Sequence, residues 1–148
     1  MNYVLDTNIV LYYLKRGATF NSIEKQFSPF ASQNRPIVSI VTVGELFSLA
    51  LQRKWGDRKL SAANDFFQYV TIVDVRYNQL IKLYSEIDAF SQVKYNVEAA
   101  DFTARNMGKN DLWIAATTVL AKAELLTPDL DFQHLDNKYF KVNLIEQI

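Results

Sequence analysis

An α/β domain with a short, mostly parallel central sheet is the fold class this sequence predicts, on three observations. Short β-prone runs alternate with stretches of helical spacing, the pattern of βαβ units whose sheet is covered on both faces. No repeat, low-complexity tract or linker interrupts the 148 residues, so residues 1–148 are expected to form a single domain. The segment 111–123 is apolar nearly all round, which suits a helix sandwiched inside such a fold.

The first strand is expected at Tyr3-Val4-Leu5, with Asp6 immediately after it. Residues 8–14 then read as a short helix that stops at Lys15-Arg16-Gly17. A second helix is expected over 23–31, with Pro29 near its end or breaking it, and Pro36 introduces a buried strand over 37–40. From Thr42 a helix carries Val43, Leu46, Phe47, Ala50 and Leu51 on one buried face, ending at Trp55-Gly56-Asp57. Ser61 is placed to cap a helix running to Tyr69, and Thr71-Ile72-Val73 is the third strand. Residues 78–93 read as a helix with Leu80, Ile81, Leu83, Tyr84 and Ile87 as its apolar face. Residues 94–110 are less regular, and Gly108 breaks any helix there. The helix 111–123 leads to a fourth strand, Leu125-Leu126-Thr127, stopped by Pro128. A loop or short helical turn over 129–139 precedes a weak last strand, Val142-Asn143-Leu144.

Composition removes most kinds of chemistry. There is no cysteine, which excludes disulfides and thiolate metal sites, and the single histidine, His134, excludes a multi-histidine cage. The 16 basic and 16 acidic residues cancel, so contact with nucleic acid needs a local patch or a metal to offset the phosphate charge. No apolar run approaches the roughly 20 residues of a membrane span. The stretch before Asp6 is neither basic nor long enough for a signal peptide, and a soluble, cytoplasmic protein is expected. Carboxylates, hydroxyls and amides remain, a donor set that suits Mg²⁺ or Mn²⁺.

The carboxylates sit where such a site would need them. Asp6 follows a strand and opens a helix, the edge at which α/β sheets place ligands. A helix cap would explain it equally, although Thr7 and Asn8 are themselves good capping residues. Glu45 follows Thr42 at the spacing of a capping box and points away from the stripe of Val43, Phe47 and Ala50, both of which favour a structural role. Its place just after a strand keeps it near the edge that holds Asp6. Asp111 opens an unusually apolar helix, where an acid also offsets the helix dipole. Asp129 and Asp131 follow the fourth strand across Pro128, in a sequence that also makes a good turn. Parallel strands bring all these junctions to one sheet edge. Carboxylates gathered there raise one another's pKa unless a cation lies between them, and a hard divalent ion with oxygen ligands resolves the repulsion.

Four stretches, VLDTNIVLYYL, SIVTVGELFSLA, NDLWIAATTVLA and LLTPDLDF, resemble in order and spacing the motifs of the PIN-domain family, in particular its VapC-type toxins. The resemblance spans nearly the whole chain, with DTNI and NDLWIAA its most specific parts. It implies a three-layer α/β/α fold around the short parallel sheet. It also implies a Mg²⁺- or Mn²⁺-dependent endoribonuclease, the toxin of a toxin–antitoxin pair. Carried over residue by residue, the acids are Asp6, Glu45, Asp111 and Asp129, with Asp131 a rival for the fourth place. Asp6 and Asp111 would be the surest metal ligands, while Thr7 and Asn8 would orient Asp6 and shape the pocket. A metal-activated water would cut the phosphodiester in line, leaving a 5′-phosphate and a 3′-hydroxyl. The implied partners are RNA, a second copy of the chain, and an antitoxin whose extended or helical segment fills a groove and blocks the site.

Two other readings compete. A phosphatase forming an aspartyl-phosphate on Asp6 would want an acid two residues later, where Asn8 stands. A degenerate domain acting only as a binding module would not need all four acids. Arg105 and Lys109, just before Asp111, are candidates for RNA phosphate contact, though solvated charge explains them too. Lys15 and Arg16 suit a helix C-terminus. His134 is expected on the surface or in a loop, and Trp113, Phe47 and Phe132 in the core. Tyr12 or Tyr13 could face substrate or a partner. The helices at 8–14 and 42–54 carry apolar residues on more than one side, Leu49 among them, as an interface would require.

Overall fold

The computed structural model describes all residues, 1–148. Its five strands are β1 (Asn2–Leu5), β2 (Arg35–Ser39), β3 (Thr71–Val73), β4 (Glu124–Thr127) and β5 (Val142–Leu144). They form one sheet in the order β3-β2-β1-β4-β5, with every neighbouring pair parallel. Each central strand buries adjacent residues on opposite faces, as the two-residue period of a strand requires. Val4, Ile37 and Leu125 enter one core, and Leu5, Val38 and Leu126 enter the other. Helices α1 (Thr7–Lys15), α2 (Ala18–Gln26), α3 (Ile40–Gln52) and α4 (Asp57–Gln68) cover the second face through Ile9, Ile23, Leu46 and Phe67. Helices α5 (Asn78–Ser91) and α6 (Lys109–Leu120) cover the first through Leu80, Ile87, Phe90 and Ile114. The architecture is therefore three-layer α/β/α, as expected. Truncating a side chain as deeply buried as Phe90, which is 0% exposed, costs about 3–5 kcal/mol.

The order matters for function. The chain builds outward from β1 to β2 and β3, then returns to place β4 on the other side of β1. The crevice at the carboxyl ends of β1 and β4 is thus the topological switch point, where open α/β sheets bind ligands.

Several helices start elsewhere than the sequence suggests, each for a local reason. Asp6 itself caps α1, accepting a bond from the Thr7 backbone N–H, so neither Thr7 nor Asn8 relieves it of that task. The second helix occupies Ala18–Gln26 rather than 23–31. It stops because Ser28, the residue before Pro29, has φ 46°, a left-handed conformation that ends an α-helix. Ile40 belongs to α3 and not to the preceding strand, because Ser39 caps the helix through a 3.2 Å bond from the Val41 N–H. Thr42 is consequently inside the helix and the expected Thr42–Glu45 capping box does not form. The buried stripe of α3 is Thr42, Leu46 and Ala50, which rotates Glu45 onto the inner flank and leaves Leu51 82% exposed. Gly56, not Ser61, precedes α4, so that helix begins four residues before Ser61. Helix α5 ends at Ser91, two residues short of 93, because Val93 takes φ 57°, and Ile81 lies on its exposed side. Gly108 is the N-cap of α6 rather than a break, which puts Asp111 third in the helix, and Lys122, at φ 50°, follows its end. Short 3₁₀ turns occupy Val97–Ala99 and Leu130–Leu135. No helix is long and apolar enough to cross a membrane.

Candidate metal centre

Asp6 stands at the carboxyl end of β1 and is 5% exposed. Its N–H continues the ladder to β4, donating to the Leu126 carbonyl at 3.1 Å. The side chain is held at both oxygens: Oδ1 accepts from the Thr7 N–H at 2.7 Å and Oδ2 from the Thr127 hydroxyl at 2.6 Å. Burial nonetheless raises the Asp6 carboxyl from 3.8 to about 6; the Thr127 and Thr7 bonds oppose that rise, and Glu45 and Asp129 add to it.

Glu45 reaches the same crevice from α3. Its Oε1 accepts a 2.8 Å bond from the Thr7 hydroxyl, which also lies 3.4 Å from Thr42 Oγ1. Thr7 therefore serves two acids at once, Asp6 with its backbone and Glu45 with its side chain. The Asn8 side chain is exposed, and Asp6 takes its orienting bonds from Thr7 and Thr127.

Asp111, half-buried in the first turn of α6, is raised furthest, from 3.8 to about 7. Burial is the largest cause, followed by the charges of Asp6, Asp129, Glu45 and Asp131, with no hydrogen bond to offset them. Asp129 caps the 3₁₀ turn: Oδ1 accepts from the Asp131 N–H at 2.9 Å, while its own N–H donates to the Thr127 hydroxyl at 3.0 Å. Oxygens of Asp111, Asp129 and Asp131 all lie within 4.8 Å of one another. Asp131 is exposed on the rim and 3.7 Å from the Arg105 guanidinium.

The structure thus brings Asp6, Glu45, Asp111, Asp129 and Asp131 from four chain segments to one sheet edge. The gathered negative charges add to burial in raising Asp6 and Asp111, which a cation between them would relieve, and the donors are all hard oxygens. A Mg²⁺-class ion fits this set. His134, the one histidine the chain could offer, lies in the 3₁₀ turn of the expected loop but is buried there through its bond to Ser91 rather than exposed on the surface. Arg105 and Lys109 are exposed beside the rim, Arg105 also donating to the Leu130 carbonyl at 3.4 Å. Tyr12 is close enough for the Asp6 charge to raise its hydroxyl pKa, after burial as the main cause. Tyr13 turns away into an aromatic groove and donates to Glu24. Phe132 is fully buried, as expected, whereas Trp113, tilted at 4.4 Å against Tyr84, and Phe47, 5.9 Å from Phe67, are only partly buried at the margins of the two cores. The sequence marks Thr42 only as a helix cap and Thr127 only as a strand residue, and neither reading foresees a hydroxyl that meets the site. A Thr closing a β-prone run reads only as strand, and the triplet Thr127-Pro128-Asp129 is the one local sign that its hydroxyl meets an acid-bearing segment.

A profile of the PIN domain family matches residues 3–138. Ribonuclease VapC2 of Haemophilus influenzae is 29% identical over 116 residues, covering 78% of this chain and 77% of that protein. Among solved structures, VapBC2 from Rickettsia felis, bound to a DNA fragment from its promoter, superposes with a TM-score of 0.74 at 23% identity, covering 99% of this chain and 100% of that one. VapBC-1 from nontypeable Haemophilus influenzae gives 0.73 at 23% identity, covering 97% and 98%.

Proposed function

The chain belongs to the PIN-domain family and resembles its VapC-type members, and from that premise we propose that it is an endoribonuclease that uses Mg²⁺ or Mn²⁺ and serves as the toxin of a toxin–antitoxin pair. The observation that carries this reading is the group of acids at the switch point, two of them, Asp6 and Asp111, held well above the usual carboxylate range. Asp6 and Asp111 are the principal ligands in this account, with Glu45 and Asp129 completing the set. Asp129 is preferred to Asp131 because Thr127 ties it to Asp6, whereas Asp131 faces Arg105.

The bound cation supplies acidity to a water and neutralises charge at the scissile phosphate. The chain's own residues prepare the place for it. Thr7 and Thr127 each hold one oxygen of the Asp6 carboxylate and so fix its orientation. Thr7 sets Glu45 relative to Asp6. Asp111, raised to about 7, is partly protonated near neutral pH and would give up that proton on holding a cation. Arg105 and Lys109 meet the phosphates that flank the cut, which leaves a 5′-phosphate and a 3′-hydroxyl. No protein nucleophile is needed. A phosphatase reading gains nothing from the site, since no lysine pairs with these acids and Asn8 is exposed.

Two protein partners complete the proposal. The groove of about 550 Å³ lined by Tyr13, Phe20, Phe30, Phe66 and Tyr69, with Arg16, Glu24 and Asp65 among its residues, is the seat for an amphipathic antitoxin segment. Helix α3, with Leu51 exposed, is the face for a homodimer. A cytoplasmic location is part of the same proposal, since that is where RNA and an antitoxin would meet the chain. Incubating RNA with the purified chain and Mn²⁺ should give fragments with 5′-phosphate ends that EDTA abolishes; fragments formed equally in EDTA would refute the metal-dependent reading.

A further inference from the structure

We propose that a buried Ser91–His134–Met107 node positions the two acid-bearing segments on the α6 side of the site and so sets the spacing of Asp111 and Asp129. The inference rests on the metal-centre reading above and assigns residues that lie outside it.

Ser91 closes α5, is 0% exposed, and has no charge partner to explain it. Its hydroxyl meets His134 Nε2 at 2.7 Å and lies 3.3 Å from Met107 Sδ. These two contacts reach different arms of the site. Met107 immediately precedes Gly108, the N-cap of α6, and therefore the turn that carries Asp111. His134 lies near the end of the 3₁₀ turn that begins beside Asp129. The Ser91 main chain joins the same arms a second time: its carbonyl accepts from the Arg105 N–H at 2.7 Å, and Arg105 reaches the Leu130 carbonyl.

The histidine is an expensive way to fill this space. It is 7% exposed, packs 4.9 Å from the Phe102 ring, and leaves Nδ1 without a partner in hydrogen-bond geometry, against the Asp131 main chain. A leucine would bury the same apolar contacts without taking two ring nitrogens out of water, so packing alone does not account for a polar ring here. What the ring adds is direction. Its bond to Ser91 fixes the turn in register, and the Asp131 N–H, next along that turn, donates to Asp129 Oδ1. A satisfied bond of this kind selects one arrangement where apolar packing would tolerate several. Burial and the nearby Arg105 charge keep the ring neutral, so it holds its place without adding a positive charge beside the acids.

The test is calorimetric titration of the full chain with Mn²⁺, alongside thermal melting in EDTA. The variants are Ser91→Ala, His134→Leu and His134→Gln, and the first two are also made in an Asp129→Asn background. Ser91→Ala and His134→Leu should each weaken Mn²⁺ binding about tenfold. The melting temperature of His134→Leu should stay level or rise, so affinity and stability separate. His134→Gln, whose amide can still meet Ser91, should retain most of the affinity. With Asp129 already replaced, neither change should weaken binding further. Unchanged affinity in both variants, or losses that add in full to that of Asp129→Asn, would overturn the node while leaving the metal centre standing. Absence of Mn²⁺ binding by the unmodified chain would instead overturn the metal-centre reading and the node with it.

Discussion

The Thr127 hydroxyl donates to Asp6 Oδ2 at 2.6 Å across the crevice between β1 and β4, and Thr127 Oγ1 in turn accepts the Asp129 N–H at 3.0 Å. One buried hydroxyl thus couples the first acid of the site, Asp6, to the segment that carries Asp129, with 121 positions between Asp6 and Thr127. Replacing it with Thr127→Val keeps the shape and removes both bonds. Asp6 should then move further above about 6, since the bond that opposes the rise is gone. Mn²⁺ affinity at pH 7 should fall about tenfold, and the acidic limb of the RNA cleavage profile should shift to higher pH. An unchanged limb would contradict the role given to Thr127.

The raised acids make a prediction for the metal-free protein. In the folded chain Asp6 keeps its proton to about pH 6 and Asp111 to about pH 7, whereas unfolded carboxyls release theirs near 3.8. Between those limits the native state binds more protons than the unfolded one, so stability must fall as pH rises from about 4 to 7. Urea melts in EDTA should show that decline. Asp111→Asn should abolish part of it and stand ~1–2 kcal/mol above wild type at pH 8, a figure reduced because Asp111 is only half-buried. Near pH 4 the two should converge. A variant less stable than wild type at pH 8 would count against the repulsion argument.

Cation binding should reverse the trend. Mn²⁺ at a hundred times its dissociation constant should add about 2.7 kcal/mol to wild-type stability. The gain should shrink towards pH 5, where protons compete for Asp6 and Asp111. Melting curves at several Mn²⁺ concentrations measure this, and a gain independent of pH would place the ion elsewhere.

Thr7 tests the other side of the pocket. Thr7→Val removes the 2.8 Å bond to Glu45 but not the backbone bond to Asp6. It should cost about 1 kcal/mol of stability and raise the Mn²⁺ concentration needed for half-maximal cleavage. Thr7→Ser should restore the second quantity. Failure of Ser to rescue would mean that the methyl group, not the hydroxyl, matters at this position.

The strand runs and the acids at their ends were legible because short, continuous apolar and β-prone runs bounded by turn residues suit strands buried on both faces. Helix starts were not, where Thr42 and Ser61 advertised caps that Ser39 and Gly56 occupy instead. That error hid the site logic of Glu45: with the helix begun at Ile40, Thr42 joins the buried stripe and Glu45 turns inward beside Thr7. Ser28 at φ 46° ended the second helix five residues before the expected 31, a conformation that only the residue's place before Pro29 hinted at. Ser91, Thr127 and His134 were invisible as a group of positioning residues, because their partners lie 16 to 121 positions away and no local period marks such pairs.

The central claim is that the acids at the carboxyl ends of β1 and β4 and the start of α6 cleave RNA through a bound cation. Cleavage of RNA in Mn²⁺ by wild type, Asp6→Asn and Asp111→Asn, each shown to be folded, tests it most directly. The account predicts fragments from wild type and none above background from either variant. Equal cleavage by all three proteins would contradict it.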